Sequence, residues 1–241
     1  MVKFTVVGGD SSSDLAKRIA RKIKSPYIKT EKKVFPDGES KITINQIPKK
    51  SIVVVVQSTY PPVDSNLLEL LSIVSKVQKF SSKVYAVIPY MGYARQDREF
   101  LGGEIITIGV VGKLLKAAGV KKVLTVDIHS KLALKELKIS SENVSAMEVL
   151  VKHFKKMKMK NPVVVSPDMG GKERAEKFSK LLKTDFIALK KQRNRKTGKV
   201  KILSEKGFKG LREAMKNGAV LPAVALPIFG AGFQVQQEQA Q

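Results

Sequence analysis

The segment Pro89 to Phe100, PYMGYARQDREF, concentrates polar groups that could bind an anionic ligand. It follows an apolar run, so its side chains emerge where a buried strand is predicted to end, the position at which open α/β sheets bind ligands. Arg95 and Arg98 lie three residues apart, with Gln96 and Asp97 between them. Guanidinium groups bind phosphates and carboxylates through paired hydrogen bonds. These residue types favour an anion or a nucleotide, and a salt-bridged loop is the alternative.

Two other predicted strand ends carry residues that could bind a metal ion. His129, in TVDIHS, has Asp127 two residues before it. It could act as a general base or a metal ligand, or it could close the strand as an ordinary polar residue. Asp168 precedes Gly170 and Gly171 in SPDMGGKERA. A carboxylate can hold magnesium and two glycines let amides approach a phosphate, but a plain strand-to-helix turn fits this segment as well.

The turn FPDGES, residues 35–40, could contribute to a purine site. Phe35 offers an aromatic face, with the carboxylates of Asp37 and Glu39 close by in sequence. A purine stacks on an aromatic ring, and its exocyclic amine can donate a hydrogen bond to a carboxylate. Pro-Asp-Gly is also a common turn sequence, so the segment by itself remains compatible with a simple turn.

A basic loop, KKQRNRKTG at residues 190–198, lies between two predicted strands and carries five basic side chains. A cationic loop of this kind could fold over a triphosphate and neutralise the charge of a phosphoryl group during transfer. A solvated hairpin tip and a nucleic-acid contact remain alternatives.

The elements that position these segments alternate between apolar β-branched runs and longer amphipathic stretches. This alternation predicts parallel sheets with helices on both faces, the α/β class. The segment ISSENVS interrupts the pattern, so we predict an N-terminal domain at 1–142 and a shorter C-terminal domain at 143–241. The predicted strands occupy residues 2–7, 52–56, 84–88, 122–126, 162–165 and 186–189, and the predicted helices 15–24, 67–77, 106–118 and 146–157, with a further helix ending near 182.

Composition limits the possible functions. The chain of 241 residues has 45 basic and 21 acidic residues, a formal net charge of +24, which favours a polyanionic partner such as a nucleic acid, an anionic membrane or a phosphorylated small molecule. A lysine-rich solvated surface is the alternative. The absence of cysteine excludes disulfides, zinc thiolate sites and a cysteine nucleophile. No apolar run approaches the ~20 residues of a membrane span, and we expect a cytoplasmic protein.

Taken together, the motifs resemble those of ribose-phosphate pyrophosphokinases, which make phosphoribosyl pyrophosphate (PRPP) and AMP from ATP and ribose 5-phosphate. The similarity covers about residues 4–204, including IVVVVQSTYPPVDSNLLELL at 52–71. It implies two phosphoribosyltransferase-like parallel-sheet domains. It also implies Mg²⁺ as cofactor, and it implies a homo-oligomer, since the FPDGE segment of the family often serves an adenine pocket across a subunit boundary.

The resemblance also assigns roles to individual residues. By similarity, nucleotide binding falls to Phe35, Asp37, Glu39, Arg95 and Gln96. Metal binding falls to His129 and Asp168, where Asp168 matches the family's metal-binding or ribose-phosphate-facing aspartate. Stabilisation of the pyrophosphoryl group in transit falls to Lys191 and Arg193.

One family element is missing from the sequence. The family carries a strand and a DD-x-x-x-TGGT loop that binds the 5-phosphate of ribose through backbone amides. Here GFKG passes directly into LREAMKNGA, and the following VLPAVALPIFGAGF is an apolar segment interrupted by two prolines. We therefore expect a truncated second domain with an incomplete sheet. Another part of the chain could do the work of the loop, the sequence could be incomplete, or the protein could be a non-catalytic homologue.

Three functions follow from these observations. The first is a ribose-phosphate pyrophosphokinase. The second is a regulatory or structural subunit of the same family that binds nucleotide without turnover. The third, based on the net charge alone, is a nucleic-acid-binding protein whose binding would fall steeply with salt.

Overall fold

The structure is a computed structural model, and it describes residues 3–45, 51–81, 83–159, 162–166, 168–193, 200–202 and 220–222. The chain divides into two compact units, and in the described part their boundary falls between Val144 and Ser145. The domain ranges 1–142 and 143–241 stay a prediction.

Strands and helices alternate along the chain, and the α/β class predicted from the sequence is confirmed. The strands are β1 (Phe4–Gly8), β2 (Tyr27–Lys29), β3 (Glu31–Val34), β4 (Ser40–Thr43), β5 (Ile52–Val56), β6 (Lys83–Ile88), β7 (Val120–Val126), β8 (Ser140–Val144), β9 (Val163–Ser166), β10 (Phe186–Ala188), β11 (Lys191–Arg193), β12 (Val200–Ile202) and β13 (Val220–Pro222). The helices are α1 (Ser13–Lys22), α2 (Val63–Val77), α3 (Thr107–Ala118), α4 (Lys131–Glu136), α5 (Met147–Lys156) and α6 (Lys172–Leu182). Every helix within these ranges is too short or too polar to span a bilayer.

The first unit is built on six parallel strands in the order β2-β1-β5-β6-β7-β8. Strand β5 shows why the sheet needs cover on both faces. Val53 and Val55 pack in one buried cluster with α2 and α3, whereas Val54 and Val56 pack in another with α1. A continuous apolar run is typical of a strand buried on both sides.

Strand β8 corrects one expectation. The segment ISSENVS was predicted to break the pattern, but Ser140–Val144 pairs in parallel with β7 and forms an edge of the sheet. Its side chains at 140 and 142–144 are exposed. An edge strand with solvent on one side does not require an apolar run, so its hydrophobic pattern is too weak to identify it.

Strands β3 and β4 form a separate antiparallel hairpin, with FPDGES at its tip. Ile42 and Ile44 pack against the larger core cluster of the first unit. The base of the hairpin is therefore attached to the body of the unit, while the side chains of residues 33–39 are exposed.

The second unit contains a sheet of three parallel strands in the order β10-β9-β13, and an antiparallel pair, β11-β12. Helices α5 and α6 pack on β9 through Val151, Val164 and Phe178. Strand β13, residues 220–222, lies in the apolar segment that two prolines interrupt. Pro222 lacks an N–H donor and is tolerated because β13 pairs on one side only in the described part of the chain.

Candidate functional site

The loops after β6 and β7 meet at the carboxyl ends of two neighbouring strands. Asp97, only 2% exposed, joins them. Its carboxylate accepts hydrogen bonds from Arg98, with Nε at 3.0 Å and Nη2 at 3.3 Å, and from the hydroxyl of Ser130. Ser130 in turn caps α4 by accepting a hydrogen bond of 2.9 Å from the amide of Ala133. The motif RQDR and the segment that carries His129 are thus linked by a buried carboxylate.

The surroundings of Asp97 favour its ionised form. The hydrogen bond from Arg98 is the largest cause that lowers the pKa of this carboxyl, and burial opposes it. The hydrogen bond from Ser130 and the charges of Arg98 and His129 lower the pKa further. Asp97 therefore carries a negative charge at neutral pH and stabilises nearby cations.

The two arginines of the motif differ in their environment. Arg98 is held by Asp97. Arg95 is exposed and makes no ion pair or hydrogen bond with any residue that the structure describes. Of the two guanidinium groups, that of Arg95 is therefore the one that can bind an external anion without first breaking an internal ion pair.

Gln96 lies where the loop meets α3. Its side-chain oxygen accepts a hydrogen bond from the hydroxyl of Thr107, and its carbonyl accepts one of 3.4 Å from the amide of Ile108. The start of α3 thus holds Gln96 in place, and its amide NH₂ makes no hydrogen bond to another described residue. That group can donate to a ligand.

The loop after β5 supports the same region. The hydroxyl of Thr59 donates to the carbonyl of Tyr90 at 2.9 Å and accepts from the amide of Gly92 at 2.7 Å. Tyr93 lies in the left-handed region at φ 61°, and its hydroxyl donates to Asp64. That hydrogen bond raises the pKa of the Tyr93 phenol. Non-glycine residues rarely adopt this φ, and those that do are often found near functional sites.

His129 lies exposed at the end of β7, on a loop held by the edge strand β8. The amide of Asp127 donates to the carbonyl of Val144 at 2.9 Å, and the amide of Ile128 donates to the side chain of Asn143 at 2.8 Å. Asp127 also lies in the left-handed region, at φ 43°. Ser130 could have been recognised as a helix cap from its residue type and position, but no local signal identifies Asn143.

The hairpin tip is braced by its own hydrogen bonds. The amide of Phe35 donates to the carbonyl of Glu39 at 2.8 Å, and the amide of Glu39 donates to the Asp37 carboxylate at 3.0 Å. Gly38, at φ +89°, lies in the left-handed region that this turn requires. The ring of Phe35 is 38% exposed, with the ammonium of Lys33 5.4 Å from its centroid.

The tip and the loop after β6 are not linked by the polar or aromatic interactions of the described residues. No hydrogen bond, ion pair or ring contact among them joins Phe35, Asp37 or Glu39 to Arg95 or Gln96.

Asp168 lies at the turn between β9 and α6 in the second unit. One of its carboxylate oxygens accepts a hydrogen bond of 3.0 Å from the amide of Gly171, and its carbonyl accepts one of 2.7 Å from Ser166. A Cβ on Gly171 would lie 2.5 Å from the Ser166 hydroxyl oxygen, so this turn requires glycine. Asp168 therefore caps the start of the helical segment.

Lys191 and Arg193 lie at the two ends of β11, which pairs with β12 in the register Lys191 to Ile202 and Arg193 to Val200. Both residues thus belong to a strand of this antiparallel pair. Residues 194–198 of the predicted basic loop lie outside the described residues.

The grouping of the candidate metal ligands indicates which kind of metal site they could form. Among the described residues there is no group of three or more histidine, aspartate or glutamate side chains that could hold a metal ion. Mg²⁺ in nucleotide sites takes one or two protein ligands, and phosphate oxygens and waters supply the rest. Single donors such as His129 and Asp168 fit that kind of site, but they do not form a site closed by protein ligands alone.

Comparisons with known proteins agree on one family. A sequence model of the N-terminal domain of ribose phosphate pyrophosphokinase matches residues 4–119. Curated relatives named ribose-phosphate pyrophosphokinase include those of Sulfurisphaera tokodaii, 33% identical over 240 residues, Methanobrevibacter smithii, 35% over 190, and Pasteurella multocida, 39% over 191. These alignments include 98%, 78% and 78% of this chain. They span 79%, 63% and 61% of the respective relatives.

The fold is likewise that of a solved structure in this family. The crystal structure of phosphoribosylpyrophosphate synthetase from Mycobacterium smegmatis superposes with a TM-score of 0.74 at 22% identity, covering 91% of this chain and 80% of that chain. This similarity supports the phosphoribosyltransferase-like architecture predicted from the sequence.

Proposed function

Because the chain belongs to the ribose-phosphate pyrophosphokinase family, we propose that it transfers the pyrophosphoryl group of Mg-ATP to the 1-hydroxyl of ribose 5-phosphate. The hydroxyl oxygen bonds to the β-phosphorus, the bond from that phosphorus to the α,β-bridging oxygen breaks, and the hydroxyl proton is released. The products are PRPP and AMP. The observation that carries this proposal is 33% identity over 240 residues to a curated member.

The loop after β6 supplies the phosphate side of the nucleotide site in this proposal. Arg95 is exposed and has no internal ion pair among the described residues, so its guanidinium is available to phosphate oxygens. Gln96 is held by α3 with its NH₂ group available as a donor. The buried carboxylate of Asp97 keeps the loop in place through its hydrogen bonds with Arg98 and Ser130.

The hairpin tip supplies the adenine contacts. Phe35 would stack on the base, while Asp37 and Glu39 supply acceptors for its exocyclic amine. The FPDGE segment of the family often serves an adenine pocket across a subunit boundary, and no hydrogen bond, ion pair or ring contact among the described residues links this tip to the Arg95 loop, so we place it in the nucleotide site of a second copy. The protein would then act as a homo-oligomer.

By the family resemblance, His129 would be a ligand of the Mg²⁺ that accompanies the nucleotide, and Asp168 would be a metal ligand of the second unit. The bound ion neutralises phosphate charge and polarises the phosphoryl oxygens. Lys191 and Arg193 would stabilise the negative charge of the pyrophosphoryl group during transfer, which is the main catalytic contribution in phosphoryl-type chemistry.

The test is to incubate purified protein with ATP, Mg²⁺ and ribose 5-phosphate and to measure AMP and PRPP. We expect both products in equal amounts, and their loss in the double variant Lys191→Ala/Arg193→Ala. Lys152→Ala, which removes an exposed lysine from α5, is the matched control and should keep full activity.

A folded protein that forms neither product would overturn the proposal. If ATP then raised the melting temperature without AMP release, the protein would be a non-catalytic member of the family. Binding to RNA that falls steeply with salt, with no response to ATP, would instead support the nucleic-acid function.

A further inference from the structure

A buried ion pair connects the β3-β4 hairpin to the body of the first unit. The ammonium of Lys32 lies 3.0 Å from Oε2 of Glu69 on α2, and the two side chains are 13% and 0% exposed. Lys32 also donates to the hydroxyl of Ser65 at 3.2 Å, one turn before Glu69 on the same helix. Neither charge is well solvated at this depth. The pair is therefore stable only while the ammonium and the carboxylate keep good hydrogen-bonding geometry.

Glu69 has a second partner at the turn that follows β1. Its Oε1 accepts a hydrogen bond of 2.7 Å from the backbone amide of Asp10. Each oxygen of the carboxylate is therefore used, one by the hairpin and one by the turn between β1 and α1. Three segments that are distant in sequence meet at this single side chain.

The tip that carries Phe35 depends on this connection for its orientation. Phe35 follows Lys32 by three residues, directly after β3 ends, and the tip is closed by hydrogen bonds among its own residues. A hairpin braced in this way moves as one piece, so its orientation is set at its base. The base is held by the apolar contacts of Ile42 and Ile44 and by the ion pair. Apolar contacts have little directional preference, whereas a pair of charged hydrogen bonds has a defined geometry.

We propose that Lys32 and Glu69 are positioning residues that aim the hairpin tip at the adenine ring. The inference rests on the proposed function, in which Phe35 receives adenine. Adenine lies away from the reacting phosphorus, so a badly aimed tip should weaken nucleotide binding and leave the chemical step unchanged.

The main test is the double variant Lys32→Met/Glu69→Gln. It removes both charges together, keeps an apolar stem in place of Lys32, and keeps an amide oxygen that can accept the hydrogen bond from Asp10. We expect KM for ATP to rise about tenfold, with kcat and KM for ribose 5-phosphate within about twofold of the wild type. The matched control is Lys122→Met/Glu142→Gln, which removes a pair of 2.7 Å between β7 and β8 far along the chain from the hairpin.

A second measurement does not depend on activity. The chain contains no tryptophan, so Phe35→Trp places a single fluorescent reporter at the tip. We expect faster local motion of this tryptophan, seen as a lower fluorescence anisotropy, when the Lys32→Met/Glu69→Gln changes are added. The Lys122→Met/Glu142→Gln changes should leave the anisotropy unchanged.

The outcomes separate the two proposals. Absence of PRPP formation by the wild type overturns the proposed function, while lower anisotropy would still show that the pair orients the tip. An active wild type whose KM for ATP and tip anisotropy are both unchanged in the double variant overturns the positioning role. An equal rise in the KM of both substrates, or a loss confined to kcat, also overturns it, since the pair would then act on the fold as a whole.

Discussion

At the scale of single residues, the two arginines of the RQDR motif lie in different environments. Arg98 neutralises the buried carboxylate of Asp97, while Arg95 lies exposed with no ion pair to any described residue. Spacing in the sequence could not distinguish them, because both are arginines at the end of the same strand. Their difference arises from Asp97, whose other partner, Ser130, is 33 residues away.

Replacing Arg95 should weaken nucleotide binding and leave the stability of the fold unchanged. We expect Arg95→Ala to raise KM for ATP by about tenfold to a hundredfold, the loss of one or two hydrogen bonds between charged groups. The midpoint of urea unfolding should not change. Steady-state kinetics with ATP varied at saturating ribose 5-phosphate measure the effect, and Arg18→Ala, an exposed arginine on α1, serves as control. Equal KM values in the two variants would contradict the role of Arg95.

Asp97 should make the free energy of unfolding depend on pH in the acidic range. Its folded pKa is lowered, chiefly by the hydrogen bond from Arg98, so its contribution is present above the ordinary aspartate pKa of about 3.9 and is lost as pH falls through the lower folded value. Asp97→Asn should therefore cost roughly 1–3 kcal/mol of unfolding free energy at pH 7. The gap to the wild type should narrow below about pH 4.

Urea unfolding at a series of pH values measures this gap. Glu142→Gln, which breaks an exposed ion pair with Lys122, should show no comparable loss at pH 7. A constant difference between Asp97→Asn and the wild type from pH 7 to pH 3 would show that the charge of Asp97 is not responsible.

At the scale of elements, the site depends on how α3 packs against α4. Gln96 is tied to the start of α3, and Ser130 caps α4 beside His129. The two helices approach closely at Gly112, where a Cβ would overlap the backbone carbonyl of Leu137. The absence of a side chain at Gly112 permits this close approach. The packed helices in turn hold the loops after β6 and β7 together.

This packing predicts that alanine substitutions at two glycines of α3 differ in their effect on stability. Gly112→Ala should destabilise the protein by roughly 2–4 kcal/mol, because backbone must move to admit the methyl group. Gly109→Ala is the control: its Cβ would lie 3.7 Å from the nearest atom, so the change should be neutral or stabilising by up to about 1 kcal/mol. Thermal unfolding measures both variants, and similar melting temperatures would refute the close approach at Gly112.

The edge strand β8 shows a second dependence between elements. Its polar residues carry little hydrophobic pattern, yet Asn143 and the carbonyl of Val144 hold the backbone of the His129 loop. A strand whose outer edge faces away from the core needs few apolar residues, so hydrophobicity could not reveal it. Its place in the sheet follows from pairing with β7, which is a tertiary event.

At the scale of the whole molecule, we propose that a second copy of the chain completes the site. The exposed tip with Phe35 and the exposed loop with Arg95 share no hydrogen bond, ion pair or ring contact among the described residues. In a homo-oligomer each site would combine a loop from one copy with a hairpin from another. Such exchange is expected of symmetric assemblies, in which every copy donates and receives the same surface.

Subunit mixing tests this arrangement. Assayed at ATP well below their raised KM values, Phe35→Ala and Arg95→Ala should each be weakly active alone, but oligomers mixed in equal amounts should recover about a quarter of the wild-type activity, since one site in four pairs an intact loop with an intact hairpin. The double variant Phe35→Ala/Arg95→Ala mixed with the wild type is the control and should bring no gain beyond dilution. Absence of recovery in oligomers shown to be mixed would place hairpin and loop in the same subunit.

Much of this architecture was accessible from the sequence. The apolar runs that became β5, β6 and β9 are long enough to identify strands buried on both faces, and the polar segments that follow them mark where a ligand could bind. The motifs around Arg95, His129 and Asp168, in that order along the chain, were sufficient to predict the family. These are local properties, since each depends on residues within about one turn or one strand of the chain.

What the tertiary structure alone decided is which distant residues become partners. Asp97 with Ser130, Lys32 with Glu69, and Gly112 against Leu137 each join segments separated by 25 or more positions, and no periodicity in the sequence relates them. Their pairing follows from the order β2-β1-β5-β6-β7-β8, which brings the loops after β6 and β7 side by side. The sequence by itself thus determined the family and the candidate chemistry, because these depend on local residue types. The spatial arrangement of the site required the packed sheet, because strand order is a property of the whole fold.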